Sequence, residues 1–225
     1  MDVSYQEFIS YLSKYKNEKR AIFSKNILKT YKDVLGLTMK EIKDIAKVFS
    51  DISFIDFDLN SIYEVTFLYF YISLKREKEL GKQLVFVKNN IKYVDSWGIV
   101  DSTFQLLNKP SLKILEDLTK SKNLFIRRYG YVSMLNYSKN NALTDNILNL
   151  LKEDDEYYVN MAEGWVLSYL LIYDFDKTYN FLLNNLNLSS IKKIGIQKAI
   201  DSFRVSDENK NKLRELRKNK IKTPD

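Results

Sequence analysis

Two prolines and six glycines are spread over 225 residues, so the chain has few positions at which a helix must end. No stretch shows the apolar–polar alternation or the β-branched enrichment of a strand. Apolar residues recur instead at helical spacing. Tyr5, Phe8, Ile9 and Leu12 mark one helix and Ile22, Phe23, Ile27 and Leu28 a second, with polar Lys16-Asn17-Glu18 between them. Gly36 reads as a turn, and Thr38-Met39-Lys40-Glu41 has the form of a capping box leading into Ile42, Ile45 and Ala46. Asn60-Ser61 with Glu64 opens the next helix, whose dense apolar run from Tyr63 to Leu74 implies burial on most sides. The charged stretch Lys75–Lys82 begins its partner, which ends near Asn89-Asn90. Asp95 is placed to cap a helix carrying Trp97, Val100, Phe104 and Leu107, and Pro110 suits the first turn of the one that follows. Further helices are expected over Asn123–Tyr137, Leu143–Leu151, Tyr157–Tyr173, Lys177–Asn184, Ile191–Phe203 and Ser206–Asn219. About twelve helices joined by loops of a few residues make consecutive helices antiparallel neighbours, so the expected class is all-α.

The length suits one domain. With no Cys and no His, the chain has no disulfide, thiolate nucleophile, zinc ribbon or imidazole base. No apolar run approaches the roughly 18–20 residues of a membrane span, and Met1–Tyr15 mixes acids with aromatics instead of forming a signal-peptide core. The expectation is a cytoplasmic protein without membrane contact. A formal charge of +7 suggests a polyanionic partner. Arg204–Asp225 holds eight bases against four acids, which places +4 of that charge in the last helix and a basic tail from about residue 220. Such a tail reads equally as a solvated, fraying terminus or as a phosphate-binding arm.

Trp97 and Asp101 stand four apart, on one helical face one turn apart. A carboxylate beside an indole is a place for a cation, but the same pair suits a core Trp next to a Lys-paired acid. Arg127 and Arg128 are adjacent and so point in different directions, one free to face a groove while the other pairs. Gly130-Tyr131-Val132 and Gly164-Trp165-Val166 recur 34 residues apart in two aromatic-rich helices. That period fits a helix-pair repeat, and two unrelated amphipathic helices would look the same.

In this order and at these separations the segments resemble the HEAT-like-repeat DNA alkylation-repair family, the bacterial alkylpurine DNA glycosylases, over most of the chain. Leu35-Gly36-Leu37 and the basic helix through Lys47 match the family's turn and helix. Trp97-x-x-x-Asp101, Arg128 before an apolar helix, and Ala162-x-Gly164-Trp165 match its central motifs, and Ile196–Ile200 with Phe203–Ser206 match its last repeat. Thr38 and Met39 replace the family's Arg and Pro, Met161 replaces a Lys, and Glu163 adds a carboxylate beside Trp165.

The resemblance implies one HEAT-like-repeat domain over residues 1–225, with antiparallel helix pairs stacked into a right-handed, ARM-type α-solenoid. It implies a monomer that binds duplex DNA, damaged or branched, on a concave basic face. Trp97, Asp101 and Trp165 would face the lesion and act in catalysis; Arg128, Arg127 and Lys198 would contact DNA. No metal and no cofactor is implied. A purine alkylated at N3 or N7 is cationic and leaves readily, so Asp101 would stabilise an oxocarbenium-like sugar and orient water while the indoles hold the cation. Two other readings stay open: a non-catalytic HEAT-like module that binds unusual DNA or a protein partner, and a helical scaffold in which both indoles are core.

Overall fold

The computed structural model describes residues 3–185 and 189–219; the expected basic tail from about residue 220 lies outside them. The protein is all-α. The described residues form thirteen α-helices and no strand, and one isolated bridge joins Asp33 to Ile62. No described helix is long and apolar enough to cross a membrane. The helices pack into two compact units, Met1–Lys109 and Pro110–Asp225.

The first unit holds α1 (Tyr5–Ser13), α2 (Glu18–Leu28), α3 (Met39–Val48), α4 (Tyr63–Arg76), α5 (Leu80–Asn90) and α6 (Trp97–Thr103). As its apolar run predicts, α4 is the core element, burying Val65, Leu68, Phe70 and Leu74, with α3, α5 and α6 packed on it. The Thr38–Glu41 capping box forms at the start of α3, with Glu41 N–H on Thr38 Oγ1 at 3.2 Å and Thr38 N–H on Glu41 Oε2 at 2.6 Å. Gly36 makes the preceding turn at φ +82°, where a Cβ would lie 2.5 Å from Ala21 N and Asn17 O, so no other residue fits.

Two helix starts differ from expectation, both because a side chain finds a distant partner. Glu64 does not cap α4 with Asn60-Ser61. The helix begins after Ile62 without a side-chain cap, and the Glu64 carboxylate reaches back to accept from the backbone N–H groups of Leu35 (2.9 Å), Gly36 (2.8 Å) and Leu37 (3.3 Å). Asp95 does not cap α6. Ser96 does, accepting from Gly98 N–H, while Asp95 Oδ2 accepts from the Thr30 hydroxyl and from Tyr31 N–H.

The second unit holds α7 (Leu112–Thr119), α8 (Leu124–Met134), α9 (Thr144–Leu148), α10 (Tyr157–Tyr173), α11 (Phe175–Asn184), α12 (Ser189–Asp201) and α13 (Asp207–Asn219). Ser111 caps α7, so Pro110 sits before the helix and not in its first turn. The expected helix over Leu143–Leu151 is shorter: a 3-10 turn at Asn141–Leu143 leads into α9. The core element is α10, which buries Val159, Ala162, Val166, Leu167 and Leu170 and packs on α8, α11 and α12. It meets α12 at a close crossing: a Cβ on Gly164 would lie 2.4 Å from Ile194 Cγ2, and one on Gly195 2.7 Å from Leu167 Cδ2. The most heavily packed helix pairs are near neighbours along the chain, as in stacked helical repeats, while the end of α2 also meets the start of α6.

Candidate functional site

In the first unit, Trp97 and Asp101 lie one turn apart on α6, and both are half-buried. The end of α2 fixes the start of this helix. Ser96 Oγ donates to Leu28 O at 2.9 Å and Trp97 Nε1 to Ile27 O at 3.3 Å. Gly98 permits the approach, since a Cβ there would stand 2.5 Å from Leu28 Cδ2 and 2.6 Å from the Tyr63 hydroxyl. Tyr63 therefore packs against α6 at Gly98, between the candidate residues in sequence. Burial, reinforced by the carboxylates of Glu64, Asp95 and Asp101, pushes its phenol well above the ordinary range and keeps it protonated.

The segment leading into α6 is tied down by Lys32, which is buried with 1 % exposure. Its Nζ donates to Leu59 O and Thr66 Oγ1, each at 2.7 Å, and to Tyr93 O at 2.5 Å. Burial lowers its pKa to about 8, opposed by Asp95 and Asp58.

In the second unit, the register that seats Gly164 against α12 leaves Trp165 half-buried on α10. Trp165, Tyr169 and Tyr173 form a ladder at i, i+4 spacing, with edge-on ring contacts of 6.3 and 6.0 Å between successive centroids. Glu163 turns the opposite way, with no exposed surface, and accepts from Lys152 N–H at 2.8 Å. It does not place a charge beside the exposed edge of Trp165. Burial chiefly raises its carboxyl pKa to about 8, with Asp154 and Glu153 adding to the rise and the Lys152 N–H and Tyr131 hydroxyl opposing it.

The raised Glu163 pKa fixes the sign of a pH effect. Between the unfolded carboxyl value near ~4.3 and about 8, the folded protein keeps a proton that the unfolded chain has lost, so this group makes stability fall as pH rises. Glu163→Gln is expected to remove that slope. Melting curves from pH 5 to 8.5 should show the variant gaining on the parent as pH rises, by up to about 1.4 kcal/mol per pH unit. A constant difference between the two would contradict it.

The three basic residues occupy different settings. Arg127 forms a bidentate pair with Asp154, Nε to Oδ2 at 2.8 Å and Nη2 to Oδ1 at 2.9 Å, and its Nη1 donates to Ser121 O and Lys122 O. The geometry thus gives Arg127 a structural task. Arg128 is 4 % exposed and donates to the Tyr158 carbonyl. Lys198 is exposed, in the last turn of α12, and lines a cleft of about 750 Å³ between the N-terminal part of α10 and α12 that Met161 and Ile194 also line. Trp97 and Asp101 thus share the first unit, and Trp165, Arg127, Arg128 and Lys198 the second.

Lys32, Tyr63 and the tyrosines following Trp165 escaped the sequence reading. Only the ladder had a visible signal, its i, i+4 spacing. Among the described residues no group of three or more acidic side chains is placed to hold a metal ion. Of the known protein families, the one described as DNA alkylation repair enzyme matches residues 8–203. The chain has no match among curated proteins.

Proposed function

The chain belongs to the DNA alkylation repair enzyme family, and from that premise we propose that it is a monofunctional DNA glycosylase releasing N3- or N7-alkylated purines from duplex DNA. The observation that carries this reading is the α6 pair: a half-buried indole with a carboxylate one turn further on, held in place by Leu28, Ile27 and Gly98 instead of being sunk in the core.

The chemistry asks for little more. The purine already carries the positive charge, so the bond from the sugar C1′ to the ring nitrogen breaks with its electron pair passing to the base, which leaves neutral. The sugar is left as an oxocarbenium-like cation. Asp101 offers negative charge to that cation and an acceptor for the attacking water, whose proton departs as the C1′–O bond forms. Trp97, one turn before Asp101, offers a ring face that contributes about 0.5–2 kcal/mol toward a nearby cation.

The second reading, a non-catalytic module binding DNA or protein, is favoured by the basic residues. Arg127 is committed to Asp154 and Arg128 is buried, so neither presents an open guanidinium.

Trp165→Ala separates the two. Loss of a ring proposed to contact the duplex is expected to weaken duplex binding, and with it methylated-purine release at limiting protein, by roughly tenfold, about 1.4 kcal/mol. Binding can be followed by titration of labelled duplex at low salt, and release from methylated duplex. A parent protein that binds duplex but releases nothing supports the second reading; a variant equal to the parent in both assays removes Trp165 from the site.

A further inference from the structure

Resting on the DNA reading, we propose that Lys139 and Arg204, held on the Tyr169–Tyr173 end of the α10 ladder, form a phosphate-binding site that grips the DNA backbone. Both side chains are exposed. The Arg204 guanidinium lies over the Tyr169 ring at 4.8 Å and the Tyr173 ring at 5.7 Å, and Lys139 Nζ lies over Tyr173 at 5.7 Å. Two cations thus converge on one tyrosine from segments 65 residues apart, the turn after α8 and the turn between α12 and α13.

Neither cation has a carboxylate partner among the described residues. That sets them apart from cations such as Lys113, Lys120 and Lys177, each of which pairs with an acid. Arg204 donates from Nη1 to the Tyr173 hydroxyl at 3.0 Å and also hydrogen-bonds the Tyr169 side chain, which leaves three of its five N–H groups for an outside acceptor. Contact with two rings restrains the side chain, so less of its entropy is lost when it binds.

The same geometry selects the ligand. Where Arg204 and Lys139 lie over Tyr169 and Tyr173, the ring face is occupied by a cation and is not a platform on which a base can stack. What the site offers outward is positive charge and N–H donors, which suit a phosphodiester and carry no base information. Trp165 lies one turn before Tyr169 on the same helix, so a backbone held here is continuous with the indole proposed to contact the duplex.

The test is the salt dependence of duplex binding, measured as the slope of log K against log salt for the full chain, the double variant Lys139→Gln/Arg204→Gln and the control Lys113→Gln/Lys120→Gln. The control removes the same net charge from the same unit, but from residues already paired with Glu116. Loss of two phosphate contacts should lower the steepness of the slope by about 1.8, at roughly 0.9 per phosphate, and the control should keep the parent slope. A parent that binds with a salt-dependent slope surviving the double substitution, or falling equally in the control, overturns this inference alone. A parent that ignores duplex at low salt overturns the DNA reading together with it.

Discussion

Replacing Lys32 by Met is expected to destabilise the folded protein by roughly 2–4 kcal/mol, the cost of stripping a charged donor from several buried acceptors. Methionine fills much the same volume, so packing changes little. The hydrogen bonds are what is lost. Lys32 Nζ has three protons and three short-range acceptors, the Leu59 carbonyl, the Thr66 hydroxyl and the Tyr93 carbonyl. Those acceptors belong to the segment before α4, to α4 itself and to the segment before α6, and Lys32 lies just after α2. One ammonium therefore ties four parts of the first unit together. Its pKa, lowered by burial to about 8, still leaves it mostly protonated at neutral pH, where all three donors are needed. Urea denaturation of parent and variant at pH 7, followed by far-UV circular dichroism, checks this. A midpoint that does not move would mean that the three bonds contribute nothing net.

The features legible in the sequence were those set by local backbone chemistry. Scarce Pro and Gly made the all-α class readable, and the Thr38–Glu41 box and the Gly36 turn formed where their residue types require them. Two of the misplaced helix starts share one physical cause: a polar side chain read as local found its partner far along the chain. Glu64 looked like the third residue of a cap, yet its acceptor capacity serves a turn 27 to 29 residues earlier. Asp95 looked like the cap of α6, yet it reaches Thr30 and Tyr31 and leaves the capping to Ser96.

The candidate site was partly legible for the same reason. Helical spacing places Trp97 and Asp101 on one face of α6, and it also strings Trp165, Tyr169 and Tyr173 along α10. Spacing does not say which charged residues turn inward. Glu163 looked like a charge beside Trp165 and is fully buried, and nothing in the spacing marks Lys32 as a core ammonium. Nor does it join Arg204 to Tyr173, 31 residues before it. Those placements depend on which helices meet, as where Gly164 admits Ile194 and so decides which edge of α10 stays open.

The larger functional effect is expected at Asp101. Asn keeps the size and one acceptor oxygen of the side chain but removes the charge that would face a sugar cation. The change should therefore leave duplex affinity within a few-fold while slowing excision by about 10²–10³-fold, the range found when a transition-state electrostatic contact is lost. The direct measurement is single-turnover release of methylated purines from methylated duplex DNA by the parent protein and by Asp101→Asn, at saturating protein so that binding does not limit the rate. Rapid release by the parent and a drop of two to three orders of magnitude in the variant, on the order of 3–4 kcal/mol, is the predicted result; equal rates, or no release by the parent, would contradict catalysis by Asp101.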